Sequence, residues 1–293
     1  MASYTDNMRP QRLTDAIIRW LPVIIGILVL YTPSINFLAD NLWNTEEQAH
    51  GPIILMVVLY LFWQNRSAFS GVIEKQKPVL GAVLLAFGLL IFAIGRSQEI
   101  LFLEIGSLLP VLTGIGLITL GLRGFSKLWF AILFTIFLIP LPSVLVDMLT
   151  NPLKHHISVL AESILYYLNY PIARSGVTIS IGPYQLLVAD ACSGLHSMFS
   201  LSALGFLYLY LMKYKNWLRT SVVIASILPI AFLANLIRVI TLILVTYHFG
   251  DEVGQGFVHK FAGLLLFITS LLLLMLFDSI LGKLPLMQDK KTI

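Results

Sequence analysis

Three residues of this 293-residue chain have the types that together carry out acyl transfer: a thiol, an imidazole and a guanidinium. The single cysteine stands in Asp190-Ala191-Cys192-Ser193-Gly194-Leu195-His196. If Ser193 and Gly194 turn the chain into a helix, the Cys192 thiol lies near a helix N-terminus, where the positive end of the dipole favours the thiolate. Arg238 lies within an apolar run, Ala-Asn-Leu-Ile-Arg-Val-Ile. A guanidinium inside a membrane span costs at least ~2.5 kcal/mol unless it faces a partner or a wet cavity, so it is a functional candidate by default. His259 follows in Gly256-Phe257-Val258-His259-Lys260. A histidine can deprotonate the thiol or protonate a leaving amine, and an arginine can stabilise a developing oxyanion.

Each member has a plainer reading. A lone cysteine is more often packing, and Arg238 could simply pair with a carboxylate such as Glu104. All six histidines (His50, His155, His156, His196, His248 and His259) fall on one side of the charge pattern described below, which keeps a haem- or metal-handling protein in view. Against it, the neighbours His155 and His156 cannot face the same way on a helix, and no HExxH spacing occurs. No cofactor and no bound metal is expected. A non-enzymatic transporter or export-assembly factor is the other alternative, with Arg238 and Pro229 as features of its pathway.

The elements that must position these residues are membrane spans. The chain is 58% hydrophobic and 12% charged, with a mean hydropathy of +0.88, where soluble domains carry roughly 25% charged residues. Crossing the hydrocarbon core takes about 20 apolar residues. Eight segments approach that: 16–38, 49–63, 79–95, 100–121, 127–149, 195–212, 218–248 (with a bend expected at Pro229) and 257–281. One cysteine excludes a disulfide framework. The net charge of +4 comes from scattered basic residues that form no stripe, so no nucleic-acid partner is expected.

Orientation follows the distribution of Lys and Arg. Fourteen of the nineteen, among them Arg9, Arg66, Arg123, Lys213 and Lys283, fall on one side of the alternation. Arg96, Lys154, Arg174 and Lys260 fall on the other, and Arg238 lies within span seven. Both termini are therefore expected in the cytoplasm, with Cys192, Arg238 and His259 near the outer face. Span one lacks a small-residue cleavage site and reads as an anchor. A single transmembrane domain over 1–293 is expected, with its catalytic core at about 150–270 and cytoplasmic tails at 1–15 and 283–293. Oligomeric state is not legible.

The one long connection, 150–194, is extracytoplasmic in this reading, and long loops carry function. Residues 153–168 read as an amphipathic helix on or in the membrane surface. Residues 176–189 read as strand-like around a Gly182-Pro183 turn. The fold class is thus an all-α polytopic membrane protein of about eight spans, with a helix and strand-like insertion between spans five and six.

The stretches VADACSGLHSM (188–198), ILPIAFLANLIRVITL (227–242) and YHFGDEVGQGFVHKFAGLLLF (247–267) together resemble the exosortase/archaeosortase family, as do the order Cys, Arg, His and the eight-span layout. The resemblance covers roughly 50–280. It implies a transpeptidase-like cysteine protease acting on exported, membrane-anchored proteins that end in a Pro-Glu-Pro-type motif, a transmembrane helix and a basic cluster. It also implies a Gram-negative inner membrane and a link to exopolysaccharide production.

By matching position the resemblance makes Cys192 the nucleophile that forms an acyl-thioester, Arg238 a proton donor or oxyanion stabiliser, and His259 the third catalytic group. An arginine pKa above ~12 favours charge stabilisation for Arg238. Many relatives carry Arg where this chain has His196, four residues and one turn after Cys192, so His196 competes with His259 for the histidine role. Asn235 and Asp190 are possible auxiliaries. Lys154, Arg174 and Lys260 are candidates to pair with the glutamate of the sorting signal.

Overall fold

The computed structural model describes residues 8–45, 48, 50–69, 77–187, 194–214, 216–250, 252–254 and 259–284. They form two compact units, Met1–Leu141 and Pro142–Ile293. Six helical stretches are long and apolar enough to cross a membrane: Trp20–Asn41, Pro78–Ser97, Leu101–Thr119, Gly121–Leu138, Trp217–Phe249 and Leu266–Lys283. Two shorter apolar helices, Gly51–Gln64 and Leu201–Met212, coincide with expected spans two and six. The protein is a helical, multi-pass membrane protein.

The amino-terminal unit contains α1 (Met8–Asn41), α2 (Gly51–Gln64), α3 (Pro78–Ser97), α4 (Leu101–Gly106), α5 (Leu108–Thr119) and α6 (Gly121–Phe134). Proline opens both α2 and α3, where its missing N–H costs nothing. Expected span four is broken between α4 and α5 at Ser107. Pro110 is the reason, since it has no N–H for the Gly106 carbonyl and its ring crowds that turn. Gly121, at φ +67°, then turns α5 directly into α6, so Arg123 and Lys127 lie on a helix.

A seam of small residues holds α3 against α4 and α5. Gly81, Gly88 and Gly95 recur every seven residues and are buried. A Cβ on Gly114 would come within 2.6 Å of the Leu85 nitrogen, and one on Gly95 within 2.6 Å of the Glu104 nitrogen. Small residues that let backbones approach supply the packing that lipid-exposed helices cannot draw from the hydrophobic effect. Above this seam Glu104, only 4% exposed, accepts hydrogen bonds from Ser34 and from Arg96 at 3.0 Å. Ser107 donates to the Glu104 carbonyl and contacts the Tyr31 hydroxyl at 2.8 Å. The Glu104 carboxylate thus has a cation and a donor of its own within this unit.

The carboxy-terminal unit contains α7 (Ser143–Tyr167), strands β1 (Ile172–Ser175), β2 (Thr178–Ile181) and β3 (Tyr184–Leu187), then α8 (Gly194–Met212), α9 (Trp217–Phe249) and α10 (His259–Lys283). Expected span five, 127–149, ends earlier than its hydropathy suggests. Helix gives way to a 3-10 turn at Thr135–Leu138 and restarts at Ser143, because Pro140 and Pro142 lack donors and push the residues before them out of helical geometry. The expected amphipathic helix is the later part of α7.

The strands form an antiparallel meander in the order β1-β2-β3. Both hairpins have two-residue loops, Gly176-Val177 and Gly182-Pro183. Gly176 (φ +65°) and Gly182 (φ +54°) occupy the first loop position, which type II′ turns reserve for glycine. Ile179, Ile181 and Leu186 of the meander are buried with Ile157, Ala161 and Leu165 of α7 and Leu236, Val239 and Ile243 of α9. The ion pair Arg174–Glu162 (2.9 Å) ties β1 to α7.

Candidate active site

α9 is the axis of the site. Its start is capped by Asn216, whose side chain accepts from the Leu218 and Arg219 backbone nitrogens. It then runs 33 residues unbroken through Pro229, a length of about 50 Å. α8 and α10 pack against it and against each other. The short connections make both antiparallel to α9.

Contacts at several levels fix how these helices are aligned. Arg219 near the start of α9 pairs with Asp278 near the end of α10 at 2.8 Å. Twelve residues later on α9, Ala231 is buried against Leu266 of α10 and Leu201 of α8, and Leu266 is twelve residues before Asp278. A Cβ on Gly205 of α8 would come within 2.8 Å of Ile227 of α9, four residues from the Leu201–Ala231 contact on each helix. The three helices therefore keep step. Seven residues beyond Ala231, about 10 Å along the axis, lies Arg238. Seven residues before Leu266 is His259, the first residue of α10, and seven before Leu201 is Gly194, the first of α8. Arg238 is thus level with the starts of two helices.

At that level Arg238 is 5% exposed and Asn235, one turn below, is fully buried. Their i, i+3 spacing puts them on one face of α9. Leu236 and Val239 beside them pack under the β-meander. α9 continues for eleven residues past Arg238, with Tyr247 packed against Gly182.

The remaining expected residues fall as follows. Cys192 and Asp190 lie outside the described residues, as do the side chains of His196, His259 and Lys260; the backbones of the last three belong to the opening turns of α8 and α10. Lys154 is half-buried on α7. Arg174 is engaged by Glu162 and also donates to the Gly176 carbonyl at 2.7 Å. His155 and His156 are exposed. His248 contacts the Tyr170 hydroxyl at 3.3 Å. Among the described residues no three of His, Cys, Asp or Glu gather as metal ligands.

The arrangement can polarise a carbonyl. A buried guanidinium level with the first described turns of α8 and α10 places positive charge where the dielectric is low, which favours an anion formed there. The family model described as transmembrane exosortase (Exosortase_EpsH) matches residues 42–276, most of the chain. The chain belongs to the exosortase family. No curated protein and no solved structure matches it.

One group in this exosortase has no counterpart among the residues singled out from the sequence. At the opposite end of the same three helices, Asp278 is 3% exposed. It accepts from Arg219 Nε at 2.9 Å, from the Tyr208 hydroxyl at 2.8 Å and from the Tyr214 hydroxyl. The Arg219 guanidinium lies 4.1 Å over the Tyr214 ring. Burial first, and then hydrogen bonds to Asp278 and Tyr208, push the Tyr214 phenol above its ordinary range, so it stays a donor. The signal was legible: a carboxylate in an apolar run asks for a named partner. This clamp pins the alignment that carries Arg238.

Proposed function

We propose that this exosortase is a membrane-embedded cysteine endopeptidase or transpeptidase that cleaves Pro-Glu-Pro-type C-terminal sorting signals of exported proteins. In this reading the Cys192 thiolate attacks the scissile carbonyl and Arg238 stabilises the oxyanion. The tetrahedral species collapses to an acyl-thioester as the C–N bond breaks, and the leaving amine takes its proton from the histidine that received it from the thiol. His259 is that histidine in the preferred assignment, with His196 as its competitor. Water or a second nucleophile then attacks the thioester and regenerates the thiol. The observation that carries the reading is the shared level of Arg238 and the starts of α8 and α10. Cys192 stands two residues before one of those starts, and His259 opens the other.

A substrate held by its own helix presents its motif at a fixed height, so effective concentration does the recruiting. The charge alternation supports an inner-membrane location with cytoplasmic termini and a catalytic face outside, and the family supports a role in surface-protein sorting beside exopolysaccharide. Cys192→Ala and Cys192→Ser, scored on a tagged substrate at matched membrane abundance, test the proposal. Loss of processing is expected in both, and full processing in either rejects it.

A further inference from the structure

The amino-terminal unit holds a half-open apolar groove with a volume of about 960 Å³. It is walled by Ile24 and Ile27 of α1, Leu59 of α2, Leu112 and Gly116 of α5 and Ile132 of α6. α1 is tied at two places. Tyr31 and Ser34 bond to Ser107 and Glu104, and Trp20 meets the Phe69 ring edge-on at 4.8 Å. The groove opens between these ties. Its polar lining is confined to the Trp20 end, where the chain leaving α2 contributes Gln64, Arg66 and Ser67.

An apolar groove with one charged rim has the polarity of a lipid. We propose that it binds one glycerophospholipid with an anionic head group, its acyl chains among the aliphatic walls and its phosphate at Arg66 and Gln64. The volume falls within the range of small-ligand sites, ~300–1,000 Å³. A bilayer is already as apolar as these walls, so burying the tails gives no hydrophobic gain and retention must come from shape and the head group. Arg66 is arranged for that. Its guanidinium packs 4.7 Å over the Trp63 ring and donates to the Trp63 carbonyl at 3.2 Å, so it is held at the rim. By the charge alternation this rim faces the cytoplasmic leaflet, where anionic lipids are attracted to interfacial cations. The basic cluster ending a sorting signal would be repelled by Arg66, which favours an anionic occupant over a substrate's own helix.

The test is native mass spectrometry of the purified full chain in detergent with equal amounts of phosphatidylglycerol and phosphatidylcholine. One phosphatidylglycerol per chain is expected to survive, preferred about five-fold, roughly the gain from one interfacial cation. Arg66→Gln should abolish the preference. Ile27→Trp and Leu112→Trp, which fill the groove from opposite walls, should each lower retention several-fold. If either fails to fold, the other and Arg66→Gln still decide. Equal retention of the two lipids by the wild type, or unchanged retention in the filled variants that fold, overturns the proposal.

Discussion

Arg238 and His259 stand level with one another on two antiparallel helices, one buried at mid-helix and one opening its helix. The relationship is anchored from below by Ala231 against Leu266 and, twelve residues lower, by Arg219 against Asp278. The level of Arg238 at one end of the bundle is thus set by contacts at the other end.

The first prediction concerns Arg238. If it stabilises an oxyanion, Arg238→Gln removes a donor that acts mainly in the transition state. A fall in kcat of about 10²–10³ with little change in KM is expected. Arg238→Lys should recover only part of it, since an ammonium lacks the planar fork. Steady-state cleavage of a model substrate checks both. A change confined to KM would assign Arg238 to substrate binding instead.

The Arg219–Asp278 clamp gives a stability prediction. Asp278→Asn or Arg219→Gln leaves one buried group of a pair without its counter-charge, a loss of about 3–5 kcal/mol. A lower thermal midpoint in detergent is the readout. Arg219→Met combined with Asp278→Leu removes both charges and should recover most of the midpoint. Failure of the double variant to recover would mean that the network matters beyond the charge pair.

These two ends of the bundle differed in how visible they were beforehand. The bounds of α8, α9 and α10 follow the apolar runs within about two residues, because charges or glycine stop each run. Arg238 stood out as a guanidinium in such a run. Asp278 did not, although the same principle applies to it, because its partner Arg219 is 59 residues away and reads as one more cytoplasmic cation. The breaks at Ser107 and at 139–142 were hidden for another reason: proline interrupts a helix without lowering hydropathy. Strand β1 escaped because four residues including Arg174 carry too little alternation to stand out.

A third prediction tests the glycine seam. Gly114→Leu drives a side chain into the α3 backbone, so a loss of at least about 1–3 kcal/mol is expected. The same change at Gly26, whose added Cβ would meet nothing within 4 Å, should leave the midpoint where it was. Equal effects at the two sites would remove close helix approach as the explanation.

Recognition of the signal's glutamate is separable from structure at Arg174. Charge reversal at Lys154, Arg174 and Lys260 should slow cleavage at whichever residue pairs with substrate. Turnover unchanged in all three sinks the idea. Because Arg174 also binds Glu162, with both side chains about a quarter exposed, the swap Arg174→Glu with Glu162→Arg restores the ion pair, worth at most ~1 kcal/mol. Activity that returns with the swap makes the pair structural, and activity that stays low leaves Arg174 facing substrate.

Acyl transfer through Cys192 passes through a covalent intermediate that can be trapped. Membranes carrying the wild-type chain and a tagged substrate are quenched in acid during turnover, and the peptide containing Cys192 is mapped by mass spectrometry with and without hydroxylamine. A substrate fragment on Cys192, present as a hydroxylamine-labile thioester, is expected. Continued substrate cleavage with Cys192 recovered only as the free thiol, at every quench time, would contradict it.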